Sequence, residues 1–347
     1  MLLASEFSGI PGFRDASSGA LIACVRSPAK MKKVFVLGWY DQGNRGDEAF
    51  RDSFQILFPS VFFTFGNKIP SDINSYTALW LGGGNILDAP LCAIPEDITV
   101  QVGFFGVGIG GKIHPAYAKL VSKAKVFAVR DELSATHVSQ SIVLPDLTFI
   151  KPKPVSPWSS RFPLVTIFLS DHLTPQKDSP DWKSLSYQWF IHEFAACCDW
   201  LVNEGHDLQF IPMCQGYWDD RRTAAAVMGR MTRRDRVDWW TGNYSEEVIL
   251  AQMAKSKFII TQRLHGAIFA TRTETSFLAL NAHSKMDCFL RDLKYPGLSY
   301  YGFNLSQFED TLEKVLQIPT ENLGAYAQQA RDKWRSFSDI VEKIYFG

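Results

Sequence analysis

The 347-residue sequence predicts an α/β fold of two Rossmann-like sheets facing each other across a cleft, and it does so on three grounds. The length exceeds what a single hydrophobic core usually serves, so two domains are expected. From Lys33 onward, short β-branched or aromatic runs alternate with longer helical patterns, as in parallel α/β layers. A proline-bearing stretch, Lys151-Pro152-Lys153-Pro154-Val155-Ser156-Pro157, divides the two runs of this pattern, because proline removes the backbone donors a sheet or helix needs.

Taken in order, residues 1–30 are rich in Ser, Gly and Ala and read as a poorly ordered extension or an upstream start. Their apolar patch Ala20 to Val25 is too short and too late for a signal-peptide core. Residues 31–150 form the first expected domain, with strands at 33–37, 61–65, 78–81, 102–107, 125–129 and 142–144. Residues 151–160 are the expected linker. Residues 161–305 form the second domain, with strands at 164–169, 208–212, 236–239, 258–261 and 277–280. Between them Phe190, Phe194, Cys197, Cys198 and Leu201 recur on one helical face and read as core, and Ser245-Glu246-Glu247 reads as a capped helix start. Residues 306–347 read as helices packed against the outside of the sheets.

Thirty-six basic residues balance thirty-six acidic ones, which removes the positive field that nucleic-acid binding draws on, so no nucleic-acid partner is expected. Apolar runs such as Val61 to Phe65 stop far short of the roughly 20 residues a membrane span needs, so no span is expected. The six cysteines show no C-x-x-C pair, which argues against a disulfide framework or zinc ribbon and for a reducing, cytoplasmic setting. No histidine pair has metal-ligand spacing, and no metal is expected.

In open α/β sheets ligands bind beyond the carboxyl ends of the strands, so the chemistry should follow strands. After the first comes Gly38-Trp39-Tyr40-Asp41-Gln42-Gly43-Asn44-Arg45-Gly46-Asp47-Glu48, a glycine-bearing turn entering a helix. Asn44, Asp47 and Glu48 offer oxygens to hydroxyls, and Asp47 alternatively caps the helix. After the third, Gly82-Gly83-Gly84-Asn85 sets flexible backbone against a ligand, with Asp88 beyond. Gly106, Gly108 and Gly111 spell a G-x-G-x-x-G, with Asp131 downstream where a ribose-binding acid would stand in a dinucleotide fold. Arg130 ends a strand and either projects into the cleft or pairs with Asp131 or Glu132 at the surface. Asp146 either steadies its loop as a cap or accepts from a sugar. The richest segment is Thr261-Gln262-Arg263-Leu264-His265-Gly266, which follows a strand and opens a helix. Free N–H groups, the dipole and the planar fork of Arg263 suit an anion, and His265 can exchange protons near neutral pH.

Together these segments resemble the polysaccharide pyruvyl transferase family. The matches are G-W-Y-D-Q-G-N-R-G-D-E-A at 38–49, L-G-G-G-N at 81–85, G-V-G-I-G at 106–110, V-R-D-E-L-S at 129–134, P-D at 145–146 and R-L-H at 263–265 with Lys285 downstream. The resemblance spans roughly residues 31–295 and implies a glycosyltransferase-B-like fold with the active cleft between the domains. It further implies transfer of the enolpyruvyl carbons of phosphoenolpyruvate to two hydroxyls of a sugar or polysaccharide acceptor, with release of phosphate. Phosphoenolpyruvate is then the donor substrate, and no cofactor is expected. Arg130, Arg263, Leu264 and His265 are the implied phosphoenolpyruvate site, with His265 catalytic as either acid or base. Two arginines from different domains match a metabolite carrying both phosphate and carboxylate. Asn44, Asp47, Gly83, Gly84 and Asn85 are expected on the acceptor side, with Tyr217 and Trp218 stacking on a sugar from the other domain or serving as packing. Two departures stand out: Asp41 where the family often has glycine, and Thr271 to Thr275 without the usual proline.

Three other functions compete. A glycosyltransferase of the same fold would use a nucleotide sugar, an inactive relative would bind carbohydrate without turnover, and the glycine fingerprint would serve a nicotinamide-dependent oxidoreductase.

Overall fold

The computed structural model describes residues 32–154, 162–176 and 179–347. The expectation for residues 1–30 falls outside the described residues, as do positions 155–160 of the expected linker. Both sheets belong to one unit, Lys32–Gly347.

The first half runs β1 (Lys33–Leu37), α1 (Arg45–Leu57), β2 (Phe62–Gly66), β3 (Ala78–Gly82), β4 (Gln101–Val107), α2 (Ala118–Lys123), β5 (Ala124–Val129), α3 (Glu132–Ala135) and β6 (Ile142–Val143). Its strands pair in parallel in the order β2-β1-β3-β4-β5-β6. Leu37 sits beside Leu81, and Val107 beside Val129. The glycine turns and Arg130 therefore leave the sheet along one edge. α1 starts where it does because the Asn44 side chain accepts from the Gly46 N–H at 3.2 Å and Asp47 and Glu48 complement the helix dipole.

The second half runs β7 (Phe162–Phe168), α4 (Asp181–Asn203), β8 (Asp207–Phe210), α5 (Asp220–Arg230), β9 (Val237–Trp239), α6 (Glu246–Lys255), β10 (Ser256–Thr261), α7 (Leu264–Arg272), β11 (Phe277–Asn281), α8 (Ser284–Leu293) and β12 (Gly297–Ser299). The parallel order is β12-β11-β10-β7-β8-β9. Phe168, Thr261 and Ala279 are neighbours in register, so the segments after β7, β10 and β11 share an edge as well.

The strands read from sequence coincide with β1 to β11 to within two residues at each end. β12 was not anticipated, since Gly-Leu-Ser has no β-branched run, and the burial of Leu298 beside β11 makes it a strand. Phe190, Phe194, Cys197, Cys198 and Leu201 are core residues, as expected. The chain ends in α9 (Leu305–Leu316) and α10 (Thr320–Phe346). α10 returns to the first sheet, where Trp334, Phe337, Val341 and Tyr345 join the core of Val34, Trp80 and Phe105. The Tyr345 hydroxyl donates to the Val102 carbonyl and Trp334 Nε1 to that of Pro145, each at 2.7 Å. No helix among the described residues is long and apolar enough to cross a membrane.

Candidate active site

A cavity of about 470 Å³ opens between the carboxyl edges of the two sheets. From the first sheet it takes Asn44, Asp47, Gly84, Asn85 and Arg130; from the second, Arg263, Leu264 and His265. Gly83 does not line it. That residue takes φ +81° and lies against the Phe50 ring behind the wall.

Arg263 is fixed by one partner close in sequence and one distant. Its backbone N–H donates to Thr261 Oγ1 at 3.0 Å, and its guanidinium grips Asp220, Nε to Oδ2 at 3.1 Å and Nη2 to Oδ1. Asp220 is 2% exposed and also accepts from the N–H groups of Met213 and Cys214. Burial alone would disfavour the arginine's charge, but the Asp220 carboxylate outweighs it and raises the Arg263 pKa. Sequence reading missed Asp220, which is adjacent to Asp219 in a charged run; the residue Asp219 caps α5 while Asp220 turns inward.

His265 lies in the first turn of α7. Its Nε2 is 3.4 Å from Asp146 Oδ2 across the cleft, an ion-pair distance without hydrogen-bond alignment, and neither atom has another hydrogen-bond partner among the described residues. Asp146 Oδ1 accepts from the N–H and hydroxyl of Thr148, at 3.0 and 2.6 Å, so Asp146 both caps its loop and faces the imidazole. Burial pushes its carboxyl upward, yet His265 and the Thr148 hydrogen bonds prevail and hold it below the usual carboxylate value. On its other side the ring meets α1 at Gly46, where an added Cβ would lie 1.9 Å from Nδ1.

Arg130 is 8% exposed and reaches the cavity rather than the surface. Nη2 donates to Asn85 Oδ1, and Nε lies 3.5 Å from Asp131 Oδ2. Gly108 permits this, since a Cβ there would sit 2.4 Å from Nη2. Asp131 caps α3 by accepting from the Ser134 N–H at 2.7 Å. The dinucleotide reading loses its ribose acid in this way, and the glycine fingerprint runs into an irregular segment rather than a helix.

Asn44, not Asp47, caps α1, and its amide donates to Asp47 Oδ2 at 2.6 Å. Burial raises the Asp47 pKa against the lowering pull of His265, Lys285 and Arg130. Lys285 also lines the cavity, and burial together with Arg130 and Arg263 brings its pKa down to about 8. A lysine in the first turn of a helix opposes the macrodipole, which is the local hint in sequence that this position is more than structural. Trp218 faces the cavity and packs on His172 with centroids 4.5 Å apart. Burial and the cations Arg263 and Lys285 lower the His172 pKa to about 3, so that ring is neutral. Tyr217 stays outside, 73% exposed and edge-on to Trp218.

The halves are also joined by backbone. Arg45 N–H donates to the Met213 carbonyl at 2.8 Å and Gln215 N–H to that of Gly43 at 3.2 Å. Three cations from two sheets thus converge on one cavity with an imidazole and a buried carboxyl. Among the described residues no group of three or more His, Cys, Asp or Glu side chains is placed to hold a metal.

A search of curated proteins gives no match. Among solved structures, the UDP-GlcNAc 2-epimerase of Methanocaldococcus jannaschii in complex with UDP-GlcNAc and UDP is similar, with TM-score 0.53 at 7% identity over 84% of this chain and 94% of that one. The Staphylococcus aureus MnaA–UDP co-structure gives TM-score 0.51 at 12% identity over 87% and 91%. The glycotransferase of kitacinnamycin gives 0.53 at 9% identity over 90% and 99%. At these identities the likeness is one of fold, and with the two six-stranded parallel sheets it makes the chain glycosyltransferase-B-like. The family model for polysaccharide pyruvyl transferase matches residues 37–284, most of the chain and both walls of the cavity. The chain therefore belongs to the polysaccharide pyruvyl transferase family.

Proposed function

We propose that the cavity binds phosphoenolpyruvate and that the protein transfers its enolpyruvyl carbons to two hydroxyls of a sugar residue in a glycan, forming a cyclic ketal. The reading rests on one observation: Arg130 from the first sheet and Arg263 and Lys285 from the second meet in a cavity that also holds His265. A ligand with a phosphate and a carboxylate at opposite ends suits charged donors arriving from two sides.

His265 is the acid in this scheme, with the Asp146 carboxylate facing its ring to orient it. It protonates the methylene carbon as a sugar hydroxyl adds to the carbon bearing phosphate. Phosphate then leaves with its bonding electrons, and the neighbouring hydroxyl adds at the same carbon. The two hydroxyl protons and the two methylene hydrogens become the ketal methyl and hydrogen phosphate, so the reaction needs no oxidant. Asp47, held by Asn44 and raised in pKa by burial, is suited to take the hydroxyl proton. The free thiols of Cys92, Cys197, Cys198, Cys214 and Cys288 fit a reducing compartment, and we place the reaction in the cytoplasm.

The test offers phosphoenolpyruvate with galactosides, glucosides and mannosides and follows both free phosphate and the mass of each sugar. Phosphate release with a ketal-sized mass gain supports the reading. Release of nucleotide from a nucleotide sugar, with phosphoenolpyruvate ignored, overturns it in favour of glycosyl transfer.

A further inference from the structure

A second concavity of about 420 Å³ lies at the carboxyl ends of β11 and β12. Only the first turn of α8 separates it from the active cavity: Ser284 lines the former and Lys285 the latter. Beyond it, Ser299 and Tyr301 are shared with a third hollow of about 270 Å³ that reaches α9. The three concavities thus lie in succession, with Tyr301 between the second and third.

The chemistry of the second hollow is not that of an anion site. Among the described residues lining it there is no Lys or Arg, and Asp287 contributes a carboxylate. Asn281 donates to Asp287 Oδ1 and accepts from the His283 N–H at 3.1 Å, which fixes both side chains. Burial, Lys285 and Arg263 bring the His283 pKa down to about 4, so its ring is neutral and can both donate and accept. The hydroxyls of Ser284 and Ser299 complete a mixed set of donors and acceptors. Tyr301 is 49% exposed, yet its ring is set edge-on to buried Tyr300 at 5.0 Å and its N–H is held by Ser299 Oγ at 3.1 Å. An ordered, exposed aromatic beside neutral hydrogen-bonding groups suits the C–H face and hydroxyls of a sugar ring.

We infer that this groove, from Ser284 past Asp287 to Tyr301, is a second sugar site that binds neutral residues flanking the one modified. The inference rests on the pyruvyl-transfer reading for the identity of the reaction, not for the binding itself.

The experiment titrates the protein, without phosphoenolpyruvate, with the tetraoses of galactose, glucose and mannose and with the matching monosaccharides. At least one tetraose should bind ten times more tightly than its monosaccharide. Tyr301→Ala and Asp287→Ala should each remove most of that advantage, while Tyr301→Phe keeps it, and melting curves identify any variant that fails to fold. Equal affinity for every tetraose and its monosaccharide overturns the inference, as does an advantage untouched in both alanine variants. If no acceptor yields phosphate from phosphoenolpyruvate but the tetraose advantage still depends on Tyr301, the pyruvyl reading falls and the glycan groove stands.

Discussion

Asp146 and His265 stand 3.4 Å apart, Oδ2 to Nε2, although one follows β6 of the first sheet and the other opens α7 beside the second. The imidazole thus faces a carboxylate from the opposite half of the molecule. Asp146→Asn should keep phosphoenolpyruvate binding and lower kcat by roughly ten- to a hundredfold, less than the roughly 10²- to 10⁴-fold expected for His265→Ala. Steady-state kinetics paired with a binding titration checks both, and normal turnover in His265→Ala would remove it from the chemistry.

Arg263 and Asp220 should behave as a unit. Arg263→Ala removes a charged donor worth about 1.5–3 kcal/mol, so phosphoenolpyruvate should bind some ten- to a hundredfold more weakly. Asp220→Asn leaves the arginine present but loosely held, and should raise KM with a smaller effect on kcat. Weakened binding in the first variant with an unchanged KM in the second would show that the guanidinium needs no anchor.

Lys285 links pH to both affinity and stability. Its pKa of about 8 lies below the ordinary 10.5 because of burial, then Arg130 and Arg263. Anion affinity should therefore fall as pH rises through 8 in the unliganded protein. The folded state binds the lysine proton less tightly than the unfolded chain, so this group's destabilisation is full below about pH 8 and is relieved as pH rises toward 10.5. Lys285→Met should melt higher near neutral pH and flatten that rise, while losing phosphoenolpyruvate affinity. Melting curves from pH 7 to 10 test the sign.

Gly46→Ala separates helix propensity from function. Alanine is favoured in a helix by about 1 kcal/mol, yet its Cβ would stand 1.9 Å from His265 Nδ1. The imidazole must shift, and turnover should drop at least tenfold while the melting temperature changes little. Full activity in this variant would mean the ring position is not critical.

Trp334→Ala should destabilise the first half by about 3–5 kcal/mol, since it empties a fully buried site and frees the Pro145 carbonyl. Denaturant unfolding measures the loss.

What sequence alone revealed follows from how far each signal reaches along the chain. β1 and β10 are short β-branched runs and β3 a short apolar run ending in glycine, and they read directly. Arg263 and His265 also read directly, because strand, arginine and helix start lie within a few residues. Asp220 and Asp146 did not, since the pairing of Asp220 with Arg263 and of Asp146 with His265 depends on the order of strands and the meeting of two sheets. The departure at Asp41 has a backbone cause: the position takes φ +60°, which glycine adopts freely and aspartate tolerates, and its carboxylate pairs with Arg51 at 2.6 Å.

The return of α10 has a consequence for biosynthesis. A ribosome delivers β1 to β6 first, but Trp334, Phe337, Val341 and Tyr345, which complete their core, emerge only after the whole second half. The leading half therefore stays exposed, and open to chaperones, until α10 has followed the second half, whereas the second half has its own strands and helices in hand earlier.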